Sequence, residues 1–276
     1  MKALAGRLVV VTGAARGIGF ETAAEFARHG ARLVISDLDP ATLEQARQAI
    51  VELGAACWAQ PCNVADADAV ARLARFVATE VGAVDVLVNN AGVAFLGSFE
   101  ETPLAQWRRT LDVNVLGVVN GIQAFLPAMK AAGGERKIVN VASLAGVAPA
   151  PNMCAYAASK HAVVGLSEVL AMELHDTPVS VLVVCPGIIN TDIVRVPAST
   201  APGISDAQVA KLQKYYVESG VLPDVVARGI VRSVRRDDIY LFVGPMARFG
   251  SIASRISRRL IRRLTIRGAY ESGYLV

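Results

Sequence analysis

The feature that most constrains this chain is an alternation. Short, β-branched apolar runs at residues 7–12, 31–36, 84–89, 137–141, 179–185 and 239–243 are separated by longer segments of helical length and composition. A strand that is apolar on both faces must be covered on both faces, which is the signature of a parallel sheet sandwiched between helices. The intervening segments, 21–29, 40–53, 66–81, 103–130 and 152–175, supply those helices, and two carry start signals. Asp39 precedes Pro40 and Thr102 precedes Pro103, so each pair offers a capping side chain ahead of a proline at the first helical position. The βαβα order predicts an α/β fold with a doubly wound parallel sheet.

No repeat or low-complexity linker divides the chain, so one domain is expected over residues 1–245, followed by an extension over 246–276. Residues 188–222 break the rhythm with Pro197, Pro202 and Gly203 before a helical stretch at 205–219. An excursion of that length after a strand is read as a substrate loop or lid.

Composition excludes several classes. With 53% hydrophobic and 19% charged residues and a mean hydropathy of +0.42, the chain lies far from the disordered regime. Residues 179–189, the longest candidate for a membrane span, are interrupted by Ser180 and Pro186-Gly187. They fall short of the ~20 residues of a spanning helix. Lys2 and Arg7 ahead of Leu8–Val11 imitate a secretory signal, but the apolar run is too short and reads as a first strand. Four cysteines without a Cys-x-x-Cys pair and three histidines without His-Glu-x-x-His give no metal-ligand pattern, and they suit free thiols in the cytoplasm.

Charge is uneven. Residues 246–276 hold seven Arg and one Glu, a net +6, which leaves −2 for residues 1–245. A slightly acidic body argues against nucleic-acid binding. As one helix, the extension would gather Phe249, Ile252, Ala253, Ile256, Leu260 and Leu264 on one face, with Arg248, Arg255, Arg258, Arg259 and Arg262 mostly opposite. Two readings stand for that face: packing on the protein or a neighbouring subunit, or peripheral attachment to a membrane.

Between the first strand and the first helix stands Thr12-Gly13-Ala14-Ala15-Arg16-Gly17-Ile18-Gly19. Glycines there let the backbone turn sharply and approach a pyrophosphate at a helix N-terminus. Asp37 follows Gly19 by 18 residues, at the end of the second strand, where a carboxylate meets a ribose 2′-hydroxyl. Further on, Tyr156 and Lys160 are four apart on a helix and share a face, so an ammonium beside the phenol is expected to lower its pKa and make it a general acid/base.

The spacing Gly13-x-x-x-Gly17-x-Gly19 resembles the classical form of the short-chain dehydrogenase/reductase (SDR) family. Other landmarks fall in that family's order over about residues 5–245: Asn89-Asn90-Ala91-Gly92, Asn114, Ser143, Tyr156-Ala-Ala-Ser-Lys160, and Pro186-Gly187 with Thr191. The resemblance implies a Rossmann-type fold and hydride transfer between a nicotinamide cofactor and a secondary alcohol or ketone. In that scheme Tyr156 exchanges the proton, Ser143 binds the substrate oxygen, Lys160 holds the nicotinamide ribose, and Asn114 orders a water linking Lys160 to solvent. It implies cofactor contacts from Gly13, Arg16, Gly17, Ile18, Gly19, Asp37, Leu38, Asn63, Val64, Asn90, Ala91, Gly92, Tyr156, Lys160, Pro186, Gly187, Ile189 and Thr191.

Two departures bear on the cofactor. Asn63-Val64 stands where the family usually has Asp-Val, and an amide can still bond an adenine edge. Arg16 accompanies NADP in many members, but Asp37 lies closer to the 2′ position, so NAD is expected over NADP. Val93–Leu96, Val147-Ala148, Met153, Ile188-Ile189 and Ile193-Val194 are expected to line an apolar substrate pocket. The resemblance also implies a homodimer or homotetramer. An NADPH-dependent acyl-carrier ketoreductase and a catalytically silent binding protein on the same fold are the alternatives, opposed respectively by Asp37 and by the Ser143, Tyr156, Lys160 set.

Overall fold

The computed structural model describes residues 1–191, 193, 199–271 and 274–275. Val194, expected in the pocket wall, and Pro197 lie outside the described residues.

Seven strands form one parallel sheet: β1 (Leu8–Thr12), β2 (Arg32–Ser36), β3 (Cys57–Ala59), β4 (Val86–Asn89), β5 (Arg136–Val141), β6 (Val179–Pro186) and β7 (Tyr240–Val243), in the order 3-2-1-4-5-6-7. The helices are α1 (Gly17–Arg28), α2 (Pro40–Glu52), α3 (Ala67–Phe76), α4 (Leu104–Leu111), α5 (Gly117–Ala131), α6 (Cys154–Glu173), α7 (Asp206–Ser219), α8 (Pro223–Arg236), α9 (Ala247–Ile256) and α10 (Arg258–Glu271). Strand β1 shows why its sequence is continuously apolar. Val9 and Val11 pack into the core beneath α1, α2 and α8, whereas Leu8 and Val10 point into the core beneath α3, α5 and α6. Val9 pairs with Leu33 on one side and Val86 on the other, so β1 is the centre from which the winding runs both ways. The chain therefore reverses between β1 and β4, and the loops leaving those two strands border the crevice where open α/β sheets bind ligands.

Local signals had mixed success. Asp39 caps α2 as expected, accepting from the amides of Ala41 and Thr42. Thr102 does not cap α4: the cap position is Pro103, and the Thr102 hydroxyl donates to the Ser98 carbonyl at 2.7 Å instead. The helical run from 104 to 131 also contains a π turn at Asp112–Leu116. By length and composition that run could cross a membrane, a feature the strand-by-strand reading missed. Here it covers the sheet, with Val118, Ile122, Phe125 and Met129 buried in the core.

The excursion after β6 returns through α7, whose start is fixed by a reciprocal capping box between Ser205 and Gln208. The extension is two helices rather than one, broken at Ser257, which is extended at φ −154°. Both helices lie back on the fold, and α9 buries its small residues rather than the large apolar ones that periodicity gathers on one face. Ala247, Gly250, Ser251, Ala253 and Ser254 are buried, whereas Phe249, Ile252 and Ile256 are exposed.

Candidate active site

The loop after β1 carries Gly13 at φ +63°, and a Cβ there would lie 2.6 Å from the Ala91 Cα. The two loops leaving β1 and β4 are therefore in direct backbone contact. Asn90 locks them together, donating from Nδ2 to the carbonyls of Thr12 and Gly13 at 3.0 and 2.9 Å, while the Thr12 hydroxyl accepts from the amides of Asn90 and Ala91. Beyond the loop, α1 begins at Gly17 with no side chain capping it. Its first amides thus face the cavity bordered by Arg16, Gly17 and Ile18, and a helix start of that kind attracts phosphate.

Asp37, at the end of β2, is oriented by its own surroundings. One oxygen accepts from the Ala15 amide at 3.0 Å and the other from the Leu38 amide at 2.7 Å. Asp39, two residues on, also lines the cavity. Hydrogen bonds from Thr42 and Ala41 hold its carboxyl below the usual range, helped by the positive charge of Arg16. A dinucleotide fits this end: an uncapped helix start for the pyrophosphate, then a fixed carboxylate where the ribose would lie.

The reacting end is built on β5 and α6. Ser143 follows β5 and caps a 3-10 turn at Leu144–Gly146, accepting from the Ala145 amide at 3.1 Å. That turn lies tight on α6, since a Cβ on Gly146 would come within 2.7 Å of the Lys160 carbonyl. The close approach brings Ser143 into hydrogen-bond reach of Tyr156. Lys160 places its Nζ 5.7 Å from the Tyr156 ring centre and donates to the Val141 carbonyl at 2.9 Å.

Burial sets the protonation of this pair. Lys160 is pushed down to about 8 because its ammonium has left water. Burial also raises the Tyr156 phenol, and the hydrogen bond with Ser143 works the other way. The expected lowering of the Tyr156 pKa by Lys160 is therefore not found. Desolvation outweighs the other influences on the phenol, and the ammonium is spent on a backbone carbonyl. The Cys185 thiol beneath them, a neighbour the sequence reading did not single out, is pushed up to about 12 by burial and stays neutral.

One cavity of about 1190 Å³ joins the two ends. Of the expected site residues, Ser143, Tyr156 and Lys160 border it, together with Gly13, Arg16, Gly17, Ile18, Asp37, Leu38, Asn63, Val64, Asn90, Ala91, Gly92, Pro186, Gly187, Ile189 and Thr191. Two expected contacts do not. Gly19 is behind the loop, where a Cβ would strike the Gly13 carbonyl oxygen at 2.0 Å, so it serves close packing rather than the cavity wall. Asn114 is fully buried in the π turn, exchanging hydrogen bonds with the Val93 amide and carbonyl and donating to the Ser159 hydroxyl. It fixes the strand-end backbone and α6 from behind.

Sequence reasoning missed one wall. Leu212, Tyr215 and Tyr216 reach in from α7, and Ile261, Leu264, Thr265, Gly268 and Ala269 from α10. The spacing of that last set, three and four residues apart over two turns, was present in the sequence as a helical stripe.

Comparison with known proteins agrees with this geometry. The family profile for short chain dehydrogenase matches residues 7–201. A Mycobacterium tuberculosis protein described as probable oxidoreductase EphD is 40% identical over 244 residues, 87% of this chain. The chain spans only 41% of that relative's length. A second M. tuberculosis protein, described as putative oxidoreductase SadH, is 34% identical over 272 residues and is matched over 97% of both chains. Among solved structures, a short chain dehydrogenase/reductase from Burkholderia phymatum in complex with NAD has a TM-score of 0.81 at 29% identity, covering 87% of this chain and 90% of that one. A metagenomic short-chain oxidoreductase in complex with NADP has a TM-score of 0.71 at 31% identity, covering 86% and 95%. With the profile covering more than half of its length and nicotinamide dinucleotides bound in structures of the same fold, this chain belongs to the short chain dehydrogenase family of oxidoreductases.

Proposed function

We propose that the protein transfers a hydride between NAD and a hydrophobic secondary alcohol or ketone, with Tyr156 as general acid/base. The observation that carries the reading is convergence: Ser143, Tyr156 and Lys160 border the same cavity as the open start of α1 and the oriented Asp37. The nicotinamide ring, when bound, accepts or supplies the hydride. The chain's own part is to hold a proton at the Tyr156 hydroxyl, to bond the substrate oxygen through Ser143, and to keep an ammonium within reach through Lys160. Because burial keeps the phenol protonated, ketone reduction finds its acid ready, whereas alcohol oxidation needs a positive charge near the Tyr156 oxygen to favour the phenolate.

NAD is favoured over NADP by charge counting at the ribose end. Asp37 and Asp39 border the cavity with Arg16, the guanidinium that acts on Asp39, and the two carboxylates outnumber it, which disfavours a 2′-phosphate there; Arg108 and Arg109 border the same cavity from α4. The apolar walls from Val93, Met153, Ile188 and Leu212 suit a hydrophobic substrate. All four cysteines are free, which fits a reducing, cytoplasmic setting. Large apolar side chains exposed on α4–α6, among them Leu104, Val169 and Met172, together with the family resemblance, support a homodimer or homotetramer.

The test is Tyr156→Phe, assayed by NADH absorbance over a panel of hydrophobic alcohols and ketones with both cofactors. Turnover should fall by about 100- to 10,000-fold. Cofactor binding by fluorescence titration should hardly change, because the ring remains. Near-wild-type turnover by the variant on a confirmed substrate would remove the proposed role.

A further inference from the structure

We propose that the outward face of α9, with the arginines that flank it, docks on an anionic lipid surface. The proposal stands apart from the catalytic reading and rests on how the extension packs. A helix that merely covers its own protein buries its large apolar side chains. Helix α9 does the reverse: its small residues go inward, where Gly250 approaches Leu144 so closely that a Cβ would lie 2.9 Å from it. Phe249, Ile252 and Ile256 are left 53%, 58% and 76% exposed. Their spacing of three and four residues makes them one contiguous strip.

Charge identifies what covers that strip. Arg248 and Arg255 are exposed on α9 beside it, and Arg259, Arg262 and Arg263 are exposed on α10. None of the five forms an ion pair among the described residues, whereas Arg267 pairs with Glu271. An apolar strip edged by the free guanidinium groups of Arg248 and Arg255, with three more exposed arginines on the following helix, matches an interface whose interior is hydrocarbon and whose border is phosphate. A second copy of this chain fits less well, since a two-fold axis through the strip would bring the same cations face to face. The strip also adjoins the cavity: Met246 and Leu264 are at once exposed and part of its wall. Docking would therefore set the cavity rim against the lipid, where hydrophobic molecules are concentrated.

The experiment is co-sedimentation of the full chain with phosphatidylcholine vesicles, with and without about 20% phosphatidylglycerol. The protein should pellet only with the anionic vesicles, and binding should fade between about 0.05 M and about 0.5 M NaCl. Replacing the strip (Phe249→Ser, Ile252→Ser, Ile256→Ser) should weaken binding at least about tenfold while circular dichroism and NAD titration stay unchanged. Should that triple variant unfold, Arg255→Glu with Arg259→Glu, both at exposed positions, should weaken binding by a similar factor. Equal recovery in the supernatant at low salt overturns the proposal. So does undiminished binding by a folded variant, or a change in molar mass by light scattering on replacing the strip, which would assign the face to a second copy.

Discussion

Lys160→Met should remove a pH dependence of stability that the buried ammonium builds into the protein. The folded-state pKa is about 8 against an ordinary 10.5. Below the lower value both folded and unfolded chains hold the proton, and the folded state carries the full cost of the buried charge. Between the two values the unfolded chain binds more protons, so the free energy of unfolding rises with pH. A displacement of that size corresponds to about 3 kcal/mol, of which about 2 kcal/mol is recovered between about pH 7 and about pH 9.5. Cys57 and Cys185, both pushed up to about 12 by burial, act with the opposite sign above about pH 9, since they keep protons when folded that the unfolded chain releases. That contribution is common to both proteins and cancels in their difference. Methionine keeps the length and apolar stem, and the lost bond to the Val141 carbonyl shifts stability by a nearly constant amount. Urea unfolding followed by the fluorescence of Trp58 and Trp107, without cofactor, gives the difference directly. Wild-type stability minus variant stability should climb by about 2 kcal/mol across that range. A flat or falling difference would refute the assignment of a strongly desolvated ammonium to Lys160.

Asp37→Ala should narrow the proposed preference for NAD over NADP by about tenfold or reverse it, because one of two carboxylates that border the cavity with Arg16 is removed while Arg16 remains. Fluorescence titration of both cofactors reads this, and an unmutated protein that already prefers NADP shows that Arg16 prevails. Gly13→Ala should destabilise the protein by about 2 kcal/mol or more, combining a left-handed backbone with a contact against the Ala91 backbone, and should weaken dinucleotide binding. Unchanged thermal unfolding and unchanged titration would show that the two loops separate freely. Light scattering at micromolar concentration should give a dimer or tetramer, and a monomer would count against the assembly proposed from α4–α6.

What was legible in the sequence is what local chemistry dictates. Continuous apolar runs became strands, buried on both faces except at β7, which is half-buried, Asp39 capped α2, and the residues flanking strand ends met in one cavity because a doubly wound sheet gathers those ends. What was illegible depended on tertiary contacts. Asn114 stood in the right place in the chain, but its placement behind the cavity follows from a π turn that no periodicity announces. The interaction of Tyr156 with Lys160 was inferred from spacing alone, and spacing does not reveal that Lys160 finds a backbone carbonyl or that both side chains lose their water.

The extension makes the same point most sharply. Periodicity gathers Phe249, Ile252 and Ile256 on one side of a helix, but it only says which residues share a side, never which side the protein covers. That choice is made by shape. Against the 144–146 turn a Cβ on Gly250 would lie 2.9 Å from the Leu144 side chain, so the small side of α9 packs there without displacing Leu144 and the large apolar side is left facing outward. Hydrophobic burial would have favoured the other orientation by ~1.5–3 kcal/mol for each large side chain covered. An orientation that forgoes this on the protein's own surface needs either a compensating contact elsewhere in α9–α10 or a second surface to restore it. Ile261 and Ala269 supply the first by burying α10 along the cavity wall. They do so from the neighbouring helix, on the far side of the Ser257 break, and leave the strip on α9 uncovered, so the lipid surface proposed for it would restore burial that α10 does not supply there.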